Sequence, residues 1–160
     1  MYLSRFILAA LCLASVNQAA SINTQESTGA KVCDLQFNMF YWKFTSLQKY
    51  VSDLEENHHR LNKSQSQKVK SLVDELQSQM VATQSKCCFS HNSPDDGFDP
   101  DQLVIFKGFT RSMTGTSQEI VDDFKNDIPL YNDKLNTEVI NDMLELKANL
   151  TDLDNRCFAE

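Results

Sequence analysis

Apolar residues recur at Phe37, Phe40, Tyr41, Phe44, Leu47, Val51, Leu54 and Leu61, with His58 in the same series. Steps of three and four put them on one stripe of a helix, since residues so spaced lie one turn apart on the same face. The polar run from Asn57 to Ser66 then carries a turn. A second stripe, Val69, Val73, Leu76, Met80, Thr83 and Cys87, keeps strict heptad spacing and predicts a second helix. Phe89 to Asp101 reads as a loop, with turn chemistry in Ser93-Pro94-Asp95-Asp96-Gly97. Asp99-Pro100-Asp101 suits a helix start, with Asp99 as cap and Pro100 in the first turn, where its missing N–H leaves no bond unmade. The third helix runs from there toward Asp127 through Leu103, Phe106, Phe109, Met113, Ile120, Val121 and Phe124. Gly115 inside Thr114-Gly115-Thr116 weakens that helix, and Pro129 marks the next break. The fourth helix carries Val139, Met143, Leu146, Leu150, Leu153 and Cys157.

Four amphipathic helices must bury their apolar stripes against one another, which predicts an all-α, up-down-up-down four-helix bundle. With only four Gly and three Pro in 160 residues, a turn-rich sandwich is disfavoured. The expected organisation is a removable segment 1–20, a flexible tail 21–32 and one helical domain 33–158. A shift of 70 residues carries the second helix's stripe onto the fourth's, from Val69 on Val139 to Cys87 on Cys157. Gln48, Val51, Asp53 and Asn62 also meet Gln118, Val121, Asp123 and Asn132. One reading is a duplicated helical hairpin. The other is that any two heptad-patterned helices slide into register, and it is favoured because the identities are sparse and the first and third helices diverge before Ser46.

The first segment has the order of a secretory signal: Arg5, an apolar run from Phe6 to Val16 broken only by Ser15, then Asn17-Gln18-Ala19-Ala20. The run is too short to span a bilayer core of ~30 Å. Cleavage near Ser21 would remove Cys12 and leave Cys33, Cys87, Cys88 and Cys157, an even set in an oxidising compartment. In an alternating bundle the start of the first helix and the ends of the second and fourth meet at one pole, so all four cysteines gather there. Cys33 is then expected to bridge one of the adjacent pair and Cys157 the other, and spacing alone leaves open which. Adjacent cysteines lack the CxxC spacing that a zinc site uses.

Charge narrows the partners. The chain holds 22 acidic and 15 basic residues, for a net charge of -7, and loss of Arg5 makes it -8. Nucleic acid and anionic membranes, which need clustered Lys and Arg, are not expected partners. No Gly-rich phosphate loop, HExxH or GxSxG occurs, so no catalytic or cofactor-binding residue is assigned. His58 and His59 point ~100° apart on a helix and cannot share one ion unaided. Asp95, Asp96, Asp99 and Asp101 surround Gly97 in a loop of calcium-like composition. An EF-hand register nevertheless puts Pro94 at a ligand position and Leu103 where the bidentate Glu belongs, so no metal is assigned there either. Two glycosylation sequons, Asn62-Lys63-Ser64 and Asn149-Leu150-Thr151, gain meaning from the secretory route.

The first helix carries more apolar residues than its core stripe needs. Met39, Trp42 and Tyr50 fall roughly opposite Phe37, Phe40, Phe44, Leu47 and Val51. They either form an outward patch, as Trp and Tyr do at interfaces, or lie under a folded-over tail or loop. The expected function is that of a secreted, non-enzymatic binding protein that engages an extracellular macromolecule through helix faces. The alternative is a carrier of a small apolar ligand or lipid, held between helices.

Overall fold

The computed structural model describes residues 28–56, 60–88 and 98–158. The described residues form four helices: α1 (Thr28–Glu55), α2 (Lys63–Cys87), α3 (Pro100–Asn126) and α4 (Asp133–Cys157). The predicted signal segment, residues 21–27 of the tail, His58, His59, His91, Asp95, Asp96 and Gly97 lie outside the described residues.

Two boundaries differ from the sequence reading. α1 begins at Thr28, so residues 28–32, expected in the tail, are its first turns. Ala30 is buried at the same helical step as Cys33 and Phe37, and its small side chain extends the stripe by a turn. At the other end α1 stops at Glu55, and buried Leu61 belongs to the α1–α2 connection. Its N–H donates to the Pro129 carbonyl at 3.1 Å, so the α3–α4 connection holds it in place. α3 runs unbroken through Gly115.

Three helix starts are capped as short polar residues dictate. Asn62 accepts from the Gln65 N–H while the Gln65 side chain accepts from the Asn62 N–H. Asp99 and Gln102 repeat that capping box, with Pro100 in the first turn as predicted. Asn132 accepts from the Leu135 N–H at 2.8 Å.

Chain direction alternates from helix to helix, and the order round the bundle is α1–α2–α4–α3. Neighbours α2 and α4 are therefore parallel, as are α1 and α3. Cross-links along α2 and α4 keep that parallel register: Lys70 pairs with Asp142 at 3.3 Å, and Gln84 Nε2 donates to the Asn149 carbonyl at 3.5 Å. The predicted stripes are the core. Val69, Val73, Leu76, Met80 and Cys87 of α2 and Val139, Met143, Leu146, Leu150, Leu153 and Cys157 of α4 are all buried.

The 70-residue offset also relates α1 to α3. Phe40 and Thr110, Leu47 and Ser117, Val51 and Val121, Leu54 and Phe124 are buried at equivalent positions. The two helices fill space unequally. α1 supplies rings and α3 supplies hydroxyls, each returned to its own helix: Thr110 Oγ1 donates to the Phe106 carbonyl and Ser117 Oγ to the Met113 carbonyl, both at 2.8 Å. Burial therefore leaves no hydroxyl proton unpaired at these two positions.

One pole holds the four cysteines, as expected. Cys33 bonds Cys87 and Cys88 bonds Cys157, with Cα–Cα distances of 4.7 and 4.5 Å. Beneath them Phe37, Phe98, Phe106 and Phe158 pack ring to ring, Phe37 on Phe106 at 4.9 Å and Phe106 on Phe158 at 5.1 Å. Phe98, which the sequence places in a loop, is buried in this cluster and closes its edge. The opposite pole is tied by polar contacts between the two connections: Arg60 reaches the Leu130 carbonyl at 3.1 Å and Asp133 at 2.8 Å.

Candidate interaction surface

The core side of α1 leaves a second apolar line facing away from the bundle. Val32, Leu35, Met39 and Trp42 are 42, 66, 46 and 61% exposed. Their steps of three, four and three form one stripe on a helix, about 15 Å long at ~1.5 Å per residue. A polar segment, Thr45-Ser46, ends it, and both hydroxyls donate to the Trp42 carbonyl, at 3.0 and 2.8 Å. The Trp42 ring stands edge-on to Tyr41, with centroids 6.4 Å apart. Tyr41 in turn packs on Phe109 of α3 at 4.8 Å, so the exposed indole rests on a side chain anchored in the core.

Of the three residues singled out in the sequence, Met39 and Trp42 lie on this stripe and Tyr50 does not. Tyr50 falls at the edge nearest α2, half-buried against the core, with Lys68 Nζ 4.1 Å above its ring. Burial raises its phenol above the usual tyrosine value. Val32 and Leu35 were missed. The same three-four spacing that marks the core stripe marks them too, on the opposite face of the helix.

On the α3 side of α1 lies a groove of about 350 Å³. Tyr41, Phe44, Thr45 and Gln48 form one wall, and Ser112, Met113, Gly115, Thr116 and Glu119 line the other. It exists because α3 presents small side chains here: a Cβ placed on Gly115 would meet no atom within 4 Å. Beyond its lower end stands Asp123 of α3, half-buried. Burial first, then hydrogen bonding with Glu55 of α1 and the charges of Glu55, Asp127 and Glu119, push its carboxyl up to about 7.

The remaining sequence candidates separate. Asp99 and Asp101 belong to the start of α3, where Asp99 Oδ1 accepts from the Asp101 N–H at 2.9 Å. Among the described residues no three His, Cys, Asp or Glu side chains converge as a metal set, and no helix is long and apolar enough to cross a membrane. Asn62 is exposed at the α2 cap, whereas Asn149 is half-buried on α4. A scan of protein-family models, a search of curated proteins and a search of solved structures each returned no match to this chain.

Proposed function

We propose that this is a secreted, non-enzymatic binding protein that engages an extracellular protein partner through the outward face of α1. One observation carries the reading: Val32, Leu35, Met39 and Trp42 form a continuous apolar line on a helix locked at its N-terminal end by the Cys33–Cys87 bridge. A rigid face costs little entropy to dock, and Trp is enriched among residues that dominate binding energy. The signal-like segment, the paired cysteines and the sequons support the extracellular route. A glycan fits at Asn62, because the cap uses Oδ1 and glycosylation takes place at Nδ2. Retention of a macromolecule from native extracellular fluid by the immobilised, oxidised protein tests the reading. Failure to retain any across a broad screen contradicts it.

A second reading, carriage of a small apolar ligand, is favoured by the α1–α3 groove and its Tyr41, Phe44 and Met113 surfaces. Native mass spectrometry of protein taken from its source separates the two. A co-purifying apolar molecule supports carriage, and a clean apo mass contradicts it.

A further inference from the structure

The exposed stripe of α1 has a counterpart on α3, and there a helix covers it. The 70-residue offset that pairs the buried positions of α1 and α3 also carries Met39, Trp42, Ser46 and Lys49 onto Phe109, Ser112, Thr116 and Glu119. That is the face α3 turns toward α1. Phe109 packs on Tyr41 at 4.8 Å and stands 6.4 Å from Phe37. Ser112, Thr116 and Glu119 line the groove opposite Tyr41, Phe44 and Gln48. α1 and α3 are parallel neighbours, so the two hairpins stack side by side in the same direction. The α1 stripe therefore stands where a preceding parallel helix would lie. The stack does not continue past α3, where the positions of Phe37, Phe44 and Gln48 hold Lys107, Thr114 and Gln118. Thr114 Oγ1 donates to the Thr110 carbonyl, and the Gln118 side chain bonds Asp122 and Lys147. One edge of the stack is apolar and the other polar.

The chain's own remaining segments do not supply the missing helix. Between Ser21 and Ser27 the one large apolar residue is Ile22, and between Phe89 and Gly97 it is Phe89, so neither stretch carries an apolar stripe. A second copy could offer its polar α3 edge, which does not match, or its own α1. The α1 stripe is bordered by exposed Lys31 and Lys49, and the acid nearest that edge, Asp34, accepts from Asn38 Nδ2 at 3.1 Å. Two such edges would set like charges together, which an interface avoids. On a chain of net charge -7 this edge is locally basic. We propose that the α1 stripe docks one amphipathic helix of a partner protein, lying parallel to α1 in the place that α1 holds beside α3. The partner helix turns aromatic side chains to the stripe and acidic ones to Lys31 and Lys49. The aromatic spacing is the one α1 itself offers α3, Phe37, Tyr41 and Phe44 at i, i+4 and i+7. This rests on the reading of the stripe as a binding face, and adds the structure, direction and charge of what binds.

Trp42 is the only tryptophan of the chain, so its emission reports on the stripe. The probe is a tryptophan-free peptide, stapled as a helix, with Phe, Tyr and Phe at i, i+4 and i+7 and Glu along one edge. Titrated into the intact, oxidised protein, it should shift Trp42 emission to the blue and saturate below about 0.1 mM. A stapled peptide of the same composition in scrambled order should give no shift. Leu35→Ser, at an exposed position of the stripe, should weaken binding about tenfold with helix content unchanged. Trp42 stands at the C-terminal end of the stripe, so a quencher on the C-terminal end of the peptide should dim it more than one on the N-terminal end. The docking site is overturned if the peptide gives no shift, if the scrambled peptide matches it, if Leu35→Ser binds as the native protein does, or if the quenchers rank the other way. It is equally overturned if phosphatidylcholine vesicles give the shift in its place, or if the protein alone shifts with concentration as its sedimenting mass doubles. If the peptide fails while a macromolecule from extracellular fluid is still retained through Trp42, the helical partner falls and the binding face stands. If retention through Trp42 fails as well, both fall.

Discussion

Cys87 and Cys88 are consecutive residues that close different hairpins. Cys87 ends α2 and bonds Cys33 near the start of α1; Cys88, the C-cap of α2, bonds Cys157 at the end of α4. Each hairpin is thus clipped at its open end, and the peptide bond between the two cysteines joins the clips. Partial digestion without reduction should yield the 33–87 and 88–157 linkages and no 33–157 linkage. Removing either bridge by paired Cys→Ala should destabilise the fold by roughly 3–4 kcal/mol, as measured by denaturant unfolding, since each closes a loop of more than fifty residues. A Cys33–Cys157 linkage would contradict the topology.

The aromatic cluster below the bridges concentrates the packing energy of that pole. Phe37 contacts Phe106, Phe109 and Phe158, and its side chain is fully buried. Phe37→Ala should cost about 3–5 kcal/mol in urea unfolding, from lost burial and the cavity left behind. Val81 is exposed on α2, and Val81→Ala should stay within about 0.5 kcal/mol.

Cap and sequon at Asn62 can be separated. Ser64→Ala removes the sequon and spares the cap, so the glycan mass should disappear with the melting transition unchanged apart from the glycan's own effect. Asn62→Ala removes both and should cost about 1 kcal/mol more, because the Gln65 N–H loses its acceptor. Intact mass and thermal unfolding of the secreted protein read both effects.

Stability should fall as pH rises through neutrality. Asp123 has a folded value of about 7, above the ordinary carboxylate value that holds in the unfolded chain. A group so shifted binds its proton more tightly when folded. Its contribution is therefore full below the unfolded value and is lost as pH rises through the folded one. The melting temperature should decline between about pH 5 and about pH 8, and Asp123→Asn should flatten that decline and be the more stable protein at the upper end.

Helix number, heptad faces, the Asp99 cap and the gathering of cysteines were legible because each follows from local spacing or from alternation of direction. The order round the bundle was not. Either neighbour arrangement keeps the cysteines at one pole, and it takes cross-links such as Lys70–Asp142, Gln77–Asp142 and Gln84–Asn149 to mark α2 and α4 as parallel neighbours. Phe98 was hidden because its segment is rich in Asp, Pro and Gly, and burial of a single ring leaves no periodicity. The raised Asp123 carboxyl was invisible for another reason. It comes from burial and from neighbouring acids, one of them Glu55, 68 positions away in the chain, and a carboxylate in isolation looks like any solvated acid. Tyr50 was misplaced because helical angle alone cannot tell that Lys68 of α2 reaches over its ring.

Binding of a partner by the outward stripe of α1 stands or falls with Trp42→Ala. Native and variant proteins, both oxidised, are immobilised side by side and exposed to the same extracellular fluid. Helix content and unfolding are measured on each. The macromolecule retained by the native protein should be lost or greatly reduced with the variant, while stability changes by no more than about 0.5 kcal/mol, since the indole is largely exposed. Equal retention, or a loss of about 3 kcal/mol as for a buried Trp, would contradict it.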